Sequence, residues 1–286
     1  MAKRTKTAMI VCAIAIGTGL LLSFLGFLFG GMRGFGAVEN RVPWINLGAA
    51  ENYTSDSYTF DAFQSMDVRC DLGKVALVPG DQYKVEVTYQ KGNKPMVQVK
   101  GSTLVVRGGQ EQKRWVDLGF LDKKGTGTVL KIYYPANAAF SSVAVANNLG
   151  DLRLTGLTAK AVNVEANLGN VVLTGVHTDS LTANLDMGSL EGSSLATKGL
   201  DAALNMGSLN LQGAFYGQTK AACSTGNCTI STSMPKSQYN IKTSVDLGNC
   251  QINGEKSHSG STIVNNGAKN RMDLTCNMGN IKVTFK

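Results

Sequence analysis

Histidine, proline and charge are all scarce in this chain. Of 286 residues only 2 are histidine and 5 proline, and 17% are charged. Two histidines leave little room for His-based catalysis or a multi-His metal site. Scarce proline beside 33 glycines without a three-residue period excludes collagen. Six cysteines are too few for a small disulfide scaffold. A hydrophobic content of 43% with so little charge excludes a disordered chain. What is abundant is glycine, about 12% against an average of ~7%. A glycine-punctuated, β-rich protein of one or two domains remains.

Lys3, Arg4 and Lys6 open the chain, and 26 uncharged residues separate Lys6 from Arg33. A helix needs ~20 apolar residues to cross a bilayer, whereas a cleavable signal has an apolar region of only ~7–15. We therefore expect an uncleaved signal anchor: residues 1–7 cytoplasmic, a transmembrane helix over 8–32, and a juxtamembrane linker over 33–51. The basic residues before the span place the N-terminus inside and the C-terminal domain outside the cell. Setting those three aside leaves 25 basic against 20 acidic residues. That mild excess suits acidic surface polymers. It is too scattered, and too poor in aromatic–basic pairs, for nucleic acid. Ile281–Lys286 reads as a closing strand, and no sortase-type signal is expected after it.

The strongest pattern is a repeat. Asn148-Leu149-Gly150, Asn167-Leu168-Gly169, Asp186-Met187-Gly188, Asn205-Met206-Gly207 and the degenerate Ser224-Thr225-Gly226 follow one another with glycines 19 residues apart. Asp246-Leu247-Gly248 and Asn277-Met278-Gly279 come later, and Asp71-Leu72-Gly73 earlier. Two and four residues after each glycine the chain is mostly apolar (Val75 and Leu77, Leu152 and Leu154, Val171 and Leu173), the alternation of a half-buried strand. A unit of 19 residues cannot bury its own apolar face, so neighbours must stack. The expected fold is all-β: a parallel β-solenoid of 19-residue rungs over 147–286, preceded by a less regular β cap over 52–146. Coiling from Gly73 to Gly279 throughout would give roughly eleven rungs. Asn, Asp and Gly suit a tight corner because they tolerate positive φ. Stacked Asn and Asp can also bond between rungs as a ladder. Most of that column is Asn and no nonapeptide period is present, so it reads as structural rather than as a calcium site.

Few residues suggest chemistry. Cys70, Cys223 and Cys276 share one inward column and Cys228 and Cys250 another, as small buried residues would. A disulfide between Cys228 and Cys250 on adjacent rungs stays open. Ser233-Met234-Pro235-Lys236 matches S-x-x-K but lacks the companion elements of serine acyl-enzymes. The loop Gly254–Asp273, with Lys256, His258, Asn265, Asn266, Lys269 and Arg271, is basic but has no carboxylate pair beyond its ends, Glu255 and Asp273. We expect no catalytic residues, no metal and no cofactor.

The segments Phe63–Val68, Asp71–Val75, Val129–Pro135 and the repeated Asn148-Leu149-Gly150-Asp151-Leu152-Arg153-Leu154-Thr155-Gly156 resemble the bacterial putative-adhesin family, over roughly residues 55 to 286. The resemblance implies a β-strand-repeat domain, often behind one membrane helix; similar proteins are linked to envelope-stress signalling. Three functions follow as expectations: a non-enzymatic extracellular adhesin or envelope scaffold, a membrane-bound sensor or regulatory subunit, or a solenoid enzyme acting on glycans. The partners expected are the membrane, through a single span, and acidic surface polymers or envelope proteins.

Overall fold

A computed structural model describes residues 53–108 and 127–286, all of which belong to one compact unit. The expected membrane span and its linker lie outside the described residues. Among the described residues no helix is long and apolar enough to cross a membrane. Apart from one turn of 3-10 helix at Lys236–Gln238, the regular structure of the described residues is all strand.

The middle of the unit follows the repeat closely. Strands β7 (Ala139–Leu149) and β8 (Leu152–Thr155) form one lap, and β9 (Thr158–Leu168) and β10 (Val171–Thr174) the next. The extended run β11 (His177–Thr232) continues through further laps. Thr158 pairs with Ala139 and His177 with Thr158, all parallel and in register at 19 residues. Side chains alternate, so residues two and four after each corner glycine face inward; Leu152, Leu154, Val171, Leu173 and Leu190 are fully buried. Gly192 breaks this inward column for a packing reason. A Cβ there would lie 2.6 Å from Leu195 Cδ1 and 2.7 Å from Leu211 Cδ2, which already fill the space.

Below this stack lies β2 (Ser65–Gly80), with Leu72 paired to Leu149 and Val75 to Leu152, so the rung carrying Asp71-Leu72-Gly73 sits directly under the rung of Gly150. The described part of the chain between β2 and β7 does not follow the 19-residue repeat. It forms β3 (Lys84–Gln90), β4 (Met96–Lys100), β5 (Thr103–Arg107) and β6 (Thr128–Pro135). β5 and β6 pair parallel to β2, then antiparallel β4 caps β5 while β3 and β1 (Tyr53–Thr59) cap β6. The turn expected at Lys100-Gly101-Ser102 is present: Lys100 pairs with Thr103, and Gly101 has φ 59°.

At the other end the chain departs from its own order. β12 (Tyr239–Ile252) and the antiparallel edge strand β13 (Glu255–Val264) form first, yet β14 (Asn270–Phe285) slots between β11 and β12. Gly226 pairs with Gly279, and Leu247 with Met278. The corner glycines thus stack as Gly73, Gly150, Gly169, Gly188, Gly207, Gly226, Gly279 and Gly248. Eight triplet rungs replace the roughly eleven expected, because among the described residues between β2 and β7 the strands β5 and β6 add one parallel lap beneath β2, while β3 and β4 pair antiparallel to that lap. At ~4.8 Å per rung the glycine column is about 34 Å long.

Candidate binding faces

The triplet corner is the most regular surface of the molecule. Every stacked glycine has φ between 126° and 147°, a region L side chains rarely adopt. A Cβ on Gly207 would overlap the carbonyl oxygen of Gly188, and a Cβ on Gly226 that of Gly207. Backbone therefore meets backbone at the corner, and only glycine permits it.

The sequence-derived turn residues Asp71, Asn148, Asn167, Asp186, Asn205, Asp246 and Asn277 form one exposed column beside the glycines. Asn148 Nδ2 donates to Asp71 Oδ1 at 2.8 Å, Asn167 Nδ2 to Asn148 Oδ1 at 3.1 Å, and Asn205 Nδ2 to Asp186 Oδ1 at 2.8 Å. A second ladder, not anticipated, runs on the other side of the glycines. Ser189 Oγ donates to Asn170 Oδ1 at 2.6 Å, Asn280 Nδ2 to Asn227 Oδ1 at 3.0 Å, and Asn249 Nδ2 to Asn280 Oδ1 at 3.4 Å.

Between the ladders stands the middle residue of each triplet. Leu149, Leu168, Met187, Met206, Met278 and Leu247 are 38–66% exposed. Together they make an apolar stripe one residue wide, interrupted at Thr225. Simple strand alternation would give these positions the inward parity of Ala166 or Leu185. The glycine corner breaks the alternation and turns them out.

Two shallow grooves lie elsewhere on the stack. One, of about 400 Å³, has a floor of Ala139, Phe140 and Ala159 edged by His177, Lys160 and Tyr216. Its one carboxylate, Asp179, is paired with Lys198 at 2.7 Å. The other, of about 560 Å³, lies where β12, β13 and β14 meet, lined by Asn240, Lys242, Arg271, Asp273 and the apolar Ile263. This places Arg271, Asn265 and Asp273 of the sequence-derived loop on one groove, while Lys256 and Glu255 stand on β13. Each groove holds a single carboxylate, whereas glycoside hydrolysis of the usual kind uses two.

Five cysteines are buried and free: Cys70, Cys223, Cys228, Cys250 and Cys276. Burial pushes the Cys70 and Cys223 thiols up to about 11, and drives Cys228 and Cys276 upward too. Buried, protonated thiols are poor nucleophiles. The pairing considered for Cys228 and Cys250 fails on geometry, since both are in register with Ile281. One rung separates them, so their Cα atoms lie ~9.6 Å apart, beyond the ~7 Å a disulfide spans. Insertion of β14 instead makes Cys223 and Cys276 direct neighbours. Among the described residues no three of His, Cys, Asp and Glu gather in a way that could hold a metal ion.

The Toastrack DUF4097 family pattern matches residues 63–244 and 130–284, and so runs over the whole rung stack. The chain belongs to the Toastrack family. Solved structures similar to this Toastrack chain include a putative adhesin from Bacteroides fragilis NCTC 9343, at 14% identity and a TM-score of 0.46, covering 82% of this chain and 98% of that one. A putative cell adhesion protein from Clostridium sporogenes ATCC 15579 is similar at 12% identity and a TM-score of 0.39, covering 82% of this chain and 100% of that one. A putative lipid binding protein from Parabacteroides distasonis ATCC 8503 has the same identity and TM-score, over 82% and 97% of the two chains. No curated protein matches the chain.

Proposed function

We propose that this Toastrack protein is a non-enzymatic, membrane-anchored scaffold of the cell envelope, with its rung stack outside the cell and acting as an adhesin-type binding surface. The observation that carries the reading is the in-register repetition of the outer columns. A side chain placed once per rung recurs every ~4.8 Å, so a repetitive partner meets many weak contacts at once. Amide ladders at the corner keep the rungs in register, and the columns offered to a partner are outward strand positions away from it, such as Ala139, Thr158 and His177. The groove bearing Lys242 and Arg271 is the place where an acidic envelope polymer would be held.

Two measurements test this reading. With a tag after Lys286, protease added to sealed cells removes the tag if the stack faces outward; survival of the tag until lysis overturns the location. With purified full-length protein, the double variant Lys242→Ala/Arg271→Ala is expected to lower retention on an immobilised acidic polysaccharide at least fivefold. Unchanged retention removes that groove from the account.

A further inference from the structure

The Leu/Met stripe is not something the fold asks for. Its side chains stand at the surface rather than in the core, and Thr225 occupies the same position while keeping register with Met278. Seven of the eight triplets nevertheless carry Leu or Met there. Scattered exposed apolar residues are ordinary, but an exposed apolar row unbroken over the four rungs from Leu149 to Met206 marks an interaction site.

We propose that this corner is the interface of a parallel homodimer, in which the second copy of the chain is related by a two-fold axis running along the stack. The flanking ladders select both the occupant and its orientation. In the parallel arrangement each column flanking the stripe faces the opposite column of the partner copy at the same rung. Asp71 then meets Lys74, Asp151 meets Asn148, Asp186 meets Ser189, and Asp246 meets Asn249. Every carboxylate of the flanks faces a cation, an amide or a hydroxyl. An antiparallel pair would set Asp71 against Asp246, and like charges so placed oppose association. The same flanks disfavour an anionic lipid surface, since they hold four Asp and one Lys beside the stripe. Size agrees as well: three columns over eight rungs present 24 residues, within the ~20–30 a side of a standard interface. The dimer does not depend on which ligand the scaffold binds, so either idea can fail alone.

Cross-linking of the full chain in membranes of the expressing cells tests this, in a Cys12→Ser background because the other five cysteines are buried. Oxidation by copper–phenanthroline is expected to join Met206→Cys copies to one another, and Leu149→Cys copies likewise, at least tenfold more than exposed Lys160→Cys copies. Mixing Leu149→Cys with a differently tagged Met278→Cys is expected to give no heterodimer. Efficient cross-linking of 149 to 278 overturns the parallel arrangement. Equal yields at positions 149, 160 and 206 indicate random collision and overturn the interface. The variant Met187→Asp/Met206→Asp changes only exposed side chains, so its circular dichroism and melting temperature should stay unchanged while cross-linking at 149 falls at least tenfold. Undiminished cross-linking in that folded variant means that another surface joins the copies, and the proposal fails.

Discussion

The middle of the stack and its C-terminal end are built from the same triplet but connected differently. From Ala139 to Thr232 each lap lies on the one before it, so contacts span 19 residues and the chain winds as it extends. Beyond Thr232 the chain skips a place, lays down β12 and β13, and returns β14 into the gap. Contacts there span 53 residues between Gly226 and Gly279 and 31 between Gly248 and Gly279. Parallel pairing and inward packing continue from β11 through β14 to β12, and the end differs in its order of assembly and in the antiparallel edge strand β13. The middle can grow one rung at a time, whereas the end needs its last strand before β12 has a neighbour on the stack side. A repeat unit therefore sets what a rung looks like without setting which rung it touches.

Three experiments sharpen that contrast. The largest effect should come from the corner, which is common to both regions. Gly207→Ala forces a Cβ against the Gly188 carbonyl at φ 139°, and should cost about 3–5 kcal/mol by strain and overpacking together. Gly199→Ala, at a φ open to any residue and with its nearest contact an ordinary 3.6 Å from the Asp179 carbonyl oxygen, is the control. Chemical denaturation compares the two, and similar midpoints would show that the glycine column is dispensable.

Next comes core truncation on either side of the change in connection. Leu185→Ala and Leu274→Ala each remove a buried side chain, at about 2–5 kcal/mol. Hydrogen exchange should separate them. Loosening β14 should speed exchange throughout β12 and β13, whose backbone ladder to the stack runs through β14, while the Leu185 variant should leave them no faster than the rest. Uniform acceleration in both variants would mean that the stack opens as one unit.

The smallest effect belongs to the N-terminal cap. Hydrogen bonds from Lys94 and Tyr89 hold the Asp56 carboxyl below its usual range, and bonds from Lys84 and Tyr133 do the same for Glu86. A carboxylate with a lowered folded pKa adds stability that is present above its unfolded pKa and lost as pH falls through the folded one. The cap strands β1 and β3 should therefore loosen only below about pH 4. Asp56→Asn should flatten that acid response when exchange in β1 is followed with pH, and an unaltered response would assign it to other groups.

The inward columns were legible in the sequence because period-two alternation and a 19-residue spacing are local properties of the chain. The hairpin at Gly101 was legible for the same reason. The outward Leu/Met stripe was not, because its residues share sequence parity with buried Ala166 and Leu185, and only the positive φ of the next glycine turns them away. The second amide ladder, with Asn170, Asn227 and Asn280, is visible as a column once the glycines are aligned, but its bonding depends on which rungs touch. The neighbours of Cys228 and Cys276 were not legible either.

By itself the sequence determined the unit: an apolar alternation that must be buried, a glycine where two backbones approach too closely for a Cβ, and a length too short to bury its own apolar face. Tertiary structure alone decided the order in which units stack. Parallel backbone pairing is nearly indifferent to which rung of like pattern lies alongside, so the choice between the next strand and a later one rests on loops, caps and the closure of the whole stack.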